Sequence, residues 1–581
     1  MAPPAAIETE AVTDTSAIVL PNPLAAPLKI NELYGRRKMP LKSQWGVAAV
    51  SNSEMFKLRP QEGKLKAKNW DYRLSQEALS RKGNSLKQAA KFLATPGLIS
   101  LGGGIPASDY FPFDSLTLKV PRVGHFSEAE AHASGMILES GKHDQLEDKS
   151  ILDIATAFNY GQGTGTAQLL RWVTEHTELV HDPPYQDWAC TLTVGSTSAL
   201  DMAFRMFTEK GDYVLSEEYT FATAVETAAP MGVKVAGVKM DAQGLLPDSM
   251  DEILTNWDAD ARGARKPTVL YTVPTGQNPT GATQGHARRR AIYAVAQKHD
   301  LYILEDEPYY FLQMDPYTGP DAPPAPTPAT HEEFLANLVP SLLSMDVDGR
   351  VLRMDSFSKV VSPGSRVGWI TASEPIVRRY YMHADVSTQG PSGMSQLLLF
   401  KLLDEGWGHP GYLDWLMHIR TSYTKRRDVI LAACETHLPK EVVSWVPPMA
   451  GMFHWLQIKY EKHPGYPAKS ITELEDEIFM RNVGNGVLMM KGSWFYASSE
   501  ERHDTLFFRA TFAAAPFGRI QEAIRRFGKT LRESFGLEMV EDGVGGVGGV
   551  VSNGAGGKEN MALSQHGANG HATNGHTQKP V

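Results

Sequence analysis

Short apolar runs alternate with helical stretches through the middle of the chain, between residues 188 and 384. We predict strands at residues 191–194, 212–215, 233–235, 268–271, 302–304 and 351–354. A helix is predicted over 198–207, directly after a Gly-Ser turn. Such alternation is typical of a mostly parallel sheet with helices on both faces. The pattern therefore predicts an α/β fold, with a large domain over residues 151–390.

Long helices alternate with a few strands in the region that follows, with strands predicted at 452–458 and 506–511. This pattern is typical of a separate α+β unit, and it predicts a smaller domain over residues 391–537. We expect residues 30–150 to pack with the smaller domain and to contribute to a substrate pocket.

Three segments have compositions that argue against a packed core. Residues 1–29 are rich in Ala and Pro, and residues 538–581 are rich in Gly, Asn and His. We predict that both are disordered, because they offer too little apolar surface to offset the entropy lost on ordering. A Pro-rich stretch over 314–330 is predicted to be a surface excursion between two core strands.

The composition excludes several classes of function. A formal net charge of −9 over 581 residues argues against a general nucleic-acid binder, which needs a basic surface. The two cysteines, Cys190 and Cys434, allow no disulfide framework and no metal quartet, and we expect no metal site. We find no secretory signal and no apolar run long enough for a membrane span. The expected location is cytoplasmic.

A lysine between hydroxyl residues follows a predicted strand, in the run Asp-Ser-Phe-Ser-Lys at 355–359. Ligand groups gather at the carboxyl ends of strands in open α/β sheets. The amine of Lys359 can form a Schiff base with a phosphorylated aldehyde cofactor. Ser356, Ser358 and Arg366 can then bind the phosphate by charge-assisted hydrogen bonds. Taken alone, the run is equally typical of a surface lysine in a Ser-rich turn.

Two further motifs carry candidate chemistry. In Glu-Asp-Glu-Pro-Tyr-Tyr at 305–310, a carboxylate at a strand end can keep a pyridine nitrogen protonated, and Tyr309 can donate to the ring's phenolic oxygen. We interpret Glu305 as a solvated acid. The run Val-Pro-Thr-Gly-Gln-Asn-Pro-Thr-Gly at 273–281 predicts a rigid turn, with an amide at Asn278 that can reach the same oxygen.

The order of these motifs, Asn-Pro-Thr-Gly, Asp-x-x-Tyr, Ser-x-Ser-Lys and Arg, resembles the fold-type I pyridoxal-phosphate aminotransferases. The similarity covers residues 98–535. The subgroup it resembles holds the fungal aromatic-amino-acid and 2-aminoadipate aminotransferases and the mammalian kynurenine/aminoadipate aminotransferase. The resemblance implies pyridoxal 5′-phosphate as cofactor and Lys359 as its covalent partner and proton carrier. It places Asp306 at the pyridine nitrogen, and Asn278 and Tyr309 at the ring oxygen.

The resemblance also implies the remaining cofactor contacts. Ser196 and Thr197 match the strand-to-helix turn that binds the phosphate, where a helix N-terminus favours an anion. Phe221 matches the aromatic residue over the ring face, and Tyr219 is the alternative. Tyr160 matches a tyrosine that reaches the phosphate of the neighbouring subunit, which implies a homodimer with shared active sites.

Substrate contacts are implied in the same way. Arg509 lies in a run that resembles the family's arginine strand, and a planar guanidinium suits bidentate binding of an α-carboxylate. Asn278 would also contact the substrate. Gly104 lies in a segment, Ser100 to Phe113, that resembles the mobile segment lining the substrate pocket.

The expected function is transfer of an amino group from an aromatic amino acid to a 2-oxo acid such as 2-oxoglutarate, by a ping-pong mechanism. 2-Aminoadipate and kynurenine are further candidate donors. Another reaction on the same cofactor, such as that of a β-lyase or a cyclopropane-forming synthase, stays open. A transcription regulator built on the same domain is a third alternative, since fold alone does not set function.

Overall fold

Two main sheets organise the computed structural model, which describes residues 28–37, 45–92, 95, 97–321, 323, 326–498 and 504–539. The strands, in chain order, are β1 (Ser115–Val120), β2 (Met136–Gly141), β3 (Trp188–Thr193), β4 (Tyr213–Glu217), β5 (Lys234–Val238), β6 (Met240–Asp241), β7 (Gly244–Leu245), β8 (Val269–Thr272), β9 (Tyr302–Asp306), β10 (Val351–Ser356), β11 (Gly368–Ser373), β12 (Val443–Trp445), β13 (Phe453–Ile458), β14 (Met490–Lys491) and β15 (Leu506–Thr511).

The α-helices, in chain order, are α1 (Ile30–Arg36), α2 (Gln76–Ser80), α3 (Ser85–Ala89), α4 (Glu128–Ser134), α5 (Ile154–Ala157), α6 (Ala167–Val180), α7 (Gly195–Phe207), α8 (Ala222–Ala228), α9 (Pro247–Thr255), α10 (Ala259–Arg262), α11 (His286–Lys298), α12 (His331–Ala336), α13 (Glu374–Ala384), α14 (Gly393–Phe400), α15 (Gly408–His437), α16 (Ile471–Gly484) and α17 (Phe517–Phe535). No helix in this part of the chain is long and apolar enough to cross a membrane.

The larger sheet has seven strands in the order β3-β11-β10-β9-β8-β4-β5. The strands from β10 to β5 pair in parallel, and β11 pairs antiparallel with both β10 and β3. Apart from Lys234 and Gly237 of β5, the strand residues are buried. Burial on both faces explains their near-continuous apolar sequences. The prediction of an α/β fold with a mostly parallel sheet is confirmed, although the pattern did not predict β11.

The smaller sheet is antiparallel, in the order β12-β13-β15-β14. Helix α17 packs near it against α15 and α16. Its apolar residues recur at helical spacing, so that one face is buried, through Ile520, Ile524, Phe527, Leu531 and Phe535. This region corresponds to the predicted α+β unit.

The segment before the larger sheet contacts that sheet directly. The Ser53 hydroxyl oxygen accepts a hydrogen bond from the Cys190 backbone N–H at 2.7 Å. The Trp70 ring meets the edge of Tyr302 with 5.4 Å between ring centroids. Part of the segment that we expected beside the smaller domain thus packs on the larger sheet, while the domain boundaries stay predictions. The two predicted disordered segments lie almost wholly outside the described residues.

The parallel strands bring three of the sequence motifs to one edge of the sheet. Strand β9 ends at Asp306 and β10 ends at Ser356, while the run at 273–281 follows β8. Because carboxyl ends of parallel neighbours lie at the same edge, residues far apart in sequence meet there. Helix α7 begins two residues after β3, also at this edge.

Candidate active site

A cavity of about 380 Å³ lies at the carboxyl edge of the larger sheet. It collects residues from both sheets and from the turns between strands and helices. Its lining consists of Ser196, Thr197, Leu200, Phe221, Val273, Asn278, Asp306, Pro308, Tyr309, Ser356, Ser358, Lys359, Pro363, Arg366, Phe453 and Arg509. The structure thus brings together most of the residues that the sequence motifs singled out.

Lys359 lies at this cavity in a half-buried position. Burial lowers the pKa of its amine, and the positive charge of Arg366 lowers it further, whereas Asp306 acts in the opposite sense. A lowered pKa makes the neutral amine more available near neutral pH. The neutral form is the one that can act as a nucleophile or accept a proton.

One end of the cavity is built to hold an anion. Helix α7 begins there at Gly195, whose φ of +77° is in the left-handed region. A Cβ at this position would lie 2.4 Å from Arg366 Nη2, so glycine leaves room for the guanidinium. The Ser358 hydroxyl oxygen accepts a hydrogen bond from Arg366 at 3.4 Å, and Ser356 donates to it at 2.8 Å. Hydroxyls, a guanidinium and the N-terminus of a long helix together favour a phosphate.

Asp306 also lines the cavity and is only 6% exposed. Its Oδ2 accepts a hydrogen bond from the Tyr271 hydroxyl at 3.0 Å, while its Oδ1 has no partner in the described part of the chain. Burial raises the pKa of this carboxyl to about 7. A cationic group at Oδ1 would therefore stabilise the ionised form.

Glu305 corrects one expectation, since it is fully buried rather than solvated. Neighbouring residues on a strand point to opposite faces, so Glu305 faces away from the Asp306 side chain. It accepts hydrogen bonds from the backbone N–H groups of residues 342 and 343 and lies 3.3 Å from Arg353 Nη1. Glu307 is paired in turn with Arg289 at 3.1 Å. These pairs form a buried ionic network beneath the cavity.

Arg509 reaches the cavity from β15, in the smaller sheet. Its Nη1 donates to Asn278 Oδ1 at 2.7 Å. The guanidinium lies over the rings of both Phe453 and Phe495, with its Cζ 4.4 Å and 4.6 Å from their centroids. We call these two rings the arginine clamp. Two aromatic rings thus lie against this cation, and the N–H edge of a planar guanidinium suits a planar carboxylate.

Three predicted residues are placed apart from the cavity. Tyr219 packs edge-on against Trp455 in an aromatic cluster that also contains Phe495, whereas Phe221 lines the cavity. Gly104 and Tyr160 are exposed and do not line it. Tyr160 instead lines a second cavity of about 420 Å³, together with residues of the 387–396 segment. The assigned roles of Gly104 and Tyr160 stay predictions.

Several residues of the site were not predicted from the sequence. Val273 and Pro308 lie inside the runs at 273–281 and 305–310 but were given no role there, and Pro363 lies three residues before Arg366. Phe453 and Phe495 come from other parts of the chain, with no motif that marks them. Tyr271 was predicted only as part of a strand.

Comparisons with known proteins agree on one family. The model of the family "Aminotransferase class I and II" matches residues 131–527. An aromatic amino acid aminotransferase of Schizosaccharomyces pombe is 45% identical over 478 residues, which cover 81% of this chain and 98% of that protein. The L-tyrosine:2-oxoglutarate aminotransferase amt1 of Serpula lacrymans is 35% identical over 441 residues, covering 73% and 83%.

A solved structure extends the agreement to the fold. The aminotransferase Aro8 from Candida albicans is 40% identical and superposes with a TM-score of 0.77, covering 82% of this chain and 100% of that one. Family model, sequence relatives and fold point the same way, as the motif order predicted. The chain belongs to the class I and II aminotransferase family and is an aminotransferase.

Proposed function

We propose that this aminotransferase uses pyridoxal 5′-phosphate to move an amino group from an aromatic amino acid to a 2-oxo acid such as 2-oxoglutarate. One observation carries the proposal: Lys359, Asp306, the anion site at Arg366 and the clamped Arg509 all border one cavity. An amine, a ring-nitrogen partner, a phosphate site and a carboxylate site are the groups that such chemistry requires.

The residues present fit the cofactor. The Ser196 hydroxyl and Asp306 Oδ1 are buried and lack partners among the described residues. Buried polar atoms of this kind are rarely left unpaired in a functional complex. A phosphate at the start of α7 would pair Ser196, with Thr197, Ser356, Ser358 and Arg366 around it. A protonated ring nitrogen would pair Asp306.

Pyridoxal phosphate, when bound, supplies an aldehyde that bonds amino groups and a ring that withdraws electrons from the substrate Cα. Lys359 would hold the aldehyde, and its freed amine would take up and return a proton at the substrate Cα. Its lowered pKa suits both tasks. Asp306 would pair with a protonated ring nitrogen, and Phe221, which also lines the cavity, would pack against the ring.

Asn278 connects the two halves of the site. Its Oδ1 accepts from Arg509, which leaves the amide N–H groups without a partner in the described part of the chain. Those groups can donate to the ring oxygen, together with Tyr309, which stays protonated because burial raises its pKa. Arg509 binds the α-carboxylate of both the amino acid and the 2-oxo acid, consistent with ping-pong kinetics.

An aromatic substrate is supported by the relatives and by the cavity lining. The named relatives act on aromatic amino acids, and one of them takes 2-oxoglutarate as acceptor. Leu200, Phe221, Tyr309 and Phe453 give the cavity apolar and aromatic surface. 2-Aminoadipate and kynurenine remain candidate donors.

We further propose a homodimer with shared active sites, in which Tyr160 contributes to the site of the partner subunit. Its exposed ring and the cavity beside it support this assignment. The cytoplasmic location also stays a proposal.

The test uses purified protein loaded with pyridoxal phosphate. Borohydride reduction followed by peptide mapping should place the cofactor on Lys359, and Lys359→Ala should carry none. An aromatic amino acid alone should convert the bound cofactor to pyridoxamine phosphate, and 2-oxoglutarate should reverse the conversion. Release of ammonia without pyridoxamine phosphate would instead identify a lyase, and sequence-specific DNA binding by an inactive protein would identify a regulator.

A further inference from the structure

Tyr271 and Asp306 lie on neighbouring strands of the larger sheet and are joined by a hydrogen bond. The two residues belong to the neighbouring parallel strands β8 and β9, in which Tyr271 pairs with Leu304. The Tyr271 hydroxyl donates to Asp306 Oδ2 at 3.0 Å, and the tyrosine is fully buried. The hydrogen bond therefore occupies Oδ2 of the Asp306 carboxylate. The second oxygen, Oδ1, has no hydrogen-bond partner among the described residues.

The direction of this hydrogen bond is settled by the surroundings. Burial and the adjacent carboxylate raise the pKa of Tyr271 well above its usual range, so the hydroxyl keeps its proton and acts as the donor. Around Asp306, the bond from Tyr271 and the charge of Arg353 favour the carboxylate, whereas burial and the acids Asp355 and Glu217 oppose it. Tyr271 is the hydrogen-bonding partner that partly offsets the effect of burial on the pKa of Asp306.

The hydroxyl and the ring of Tyr271 have separable contacts. The ring packs edge-on against Phe204, with centroids 6.2 Å apart. The hydroxyl bonds to Asp306 and to no other described residue. A phenylalanine would keep the packing and lose the bond, so the hydroxyl is not needed to fill the core.

We propose that Tyr271 is a positioning residue, whose hydroxyl fixes the Asp306 carboxylate so that Oδ1 faces the cofactor's ring nitrogen. The inference rests on the proposed function, because it assigns the ring nitrogen to Asp306. Tyr271 touches neither substrate nor cofactor in this scheme and acts through Asp306.

The test compares Tyr271→Phe with a matched control, Tyr302→Phe. Tyr302 is also a fully buried tyrosine in this sheet, on β9 itself, but its hydroxyl has no partner in the described part of the chain. Both variants are loaded with pyridoxal phosphate. The measurements are thermal unfolding, the pH dependence of the bound cofactor's absorbance, and kcat and KM for an aromatic donor.

Tyr271→Phe should retain the cofactor on Lys359 while kcat falls roughly ten- to a hundred-fold, the range for losing a hydrogen bond to a charged group. KM should change little. The absorbance transition should move to higher pH, because a less firmly protonated ring withdraws electrons more weakly from the lysine-bound nitrogen. Tyr302→Phe should match the wild type in all three measurements.

A cofactor analogue with carbon in place of the ring nitrogen sharpens the test. With that analogue, Tyr271→Phe and the wild type should be equally slow, since the group on which Tyr271 acts is gone. Equal activity of the two proteins with the natural cofactor would overturn the inference. So would equal losses in both variants, or failure of Tyr271→Phe alone to fold. A wild type that never bonds the cofactor at Lys359 would instead defeat the proposed function.

Discussion

At the scale of single residues, the arginine clamp places two apolar rings against the guanidinium of Arg509. The Arg509 guanidinium lies over the rings of both Phe453 and Phe495. Burial lowers the pKa of Arg509, which shows that the group is partly stripped of water. A cation between two rings recovers part of that loss, about 0.5–2 kcal/mol per ring. The clamp thus restricts the orientation of the guanidinium edge that we propose binds the substrate carboxylate.

The clamp leads to a prediction about substrate binding. Phe495→Leu should raise KM for both the amino acid and the 2-oxo acid by roughly 2- to 30-fold, the equivalent of one cation–π contact. kcat should fall less, because the reacting atoms are untouched. Steady-state kinetics with each substrate varied in turn would measure this. Phe508→Leu, on the same strand as Arg509 but packed against Phe527, is the control. An unchanged KM in Phe495→Leu would contradict the role of the clamp.

Asp306 allows a prediction about stability and pH. Its pKa rises from an ordinary 3.8 to about 7 on folding, so the cofactor-free protein bears a penalty for ionising it. That penalty is absent below about pH 4 and complete above about pH 7, at roughly 1.4 kcal/mol per pKa unit. Cofactor-free Asp306→Asn should therefore gain stability over the cofactor-free wild type as pH rises from 5 to 8.

Thermal unfolding of both cofactor-free proteins at pH 5 and at pH 8 measures the difference in stability between Asp306→Asn and the wild type. Pyridoxal phosphate should reduce this difference in stability, because a protonated ring nitrogen beside the Asp306 carboxylate stabilises the wild type. An equal difference in stability at pH 5 and at pH 8 would show that ionisation of Asp306 does not destabilise the cofactor-free protein.

At the scale of elements, the acidic side chains at the end of β9 and just after it point to two different faces of the sheet. Asp306 points to the cavity, while Glu305 and Glu307 lie in the buried network with Arg289 and Arg353. Arg353 also pairs with Asp355 on its own strand at 2.8 Å. The network thus ties the ends of β9 and β10 together, and those ends carry Asp306 and the turn to Lys359.

Breaking this network should cost far more than breaking a surface pair. Arg353→Met leaves Glu305 and Asp355 buried without their partner, and we expect a loss of about 3–5 kcal/mol in unfolding free energy. Arg36→Met is the control, because Arg36 pairs with Glu32 while the two side chains are 43% and 41% exposed, and less than about 1 kcal/mol should be lost. Denaturant unfolding measures both. Similar losses of unfolding free energy in the two variants would contradict the prediction that the buried network contributes more than an exposed pair.

The same elements show what could be predicted from the sequence. The runs that end at Asp306 and at Lys359 are contiguous, so their apolar strands and polar ends could be predicted from one stretch of chain. Glu305 was misjudged because its Arg353 partner belongs to another strand, and pairing sets its environment. The start of α7 was predicted three residues late, since Gly195 adopts a left-handed φ that hydrophobic spacing does not indicate.

At the scale of the whole molecule, the site depends on how the two sheets meet. Arg509 and Phe453 come from the smaller sheet, whereas Lys359 and Asp306 follow strands of the larger one. Motif order was enough to predict the family and the fold. The clamp was not predictable in this way, because Phe453, Phe495 and Arg509 become neighbours only after the chain has folded.

The proposed homodimer gives a prediction that depends on two chains. If Tyr160 serves the partner's site, Lys359→Ala and Tyr160→Ala should each be severely impaired as pure proteins. A mixed dimer would combine both defects in one site and restore the other site completely. Unfolding and refolding the two variants together should therefore recover about a quarter of wild-type activity for random pairing of equal amounts. Each variant refolded alone is the control. No recovery, despite mixed dimers shown by mass, would mean that Tyr160 acts within its own subunit.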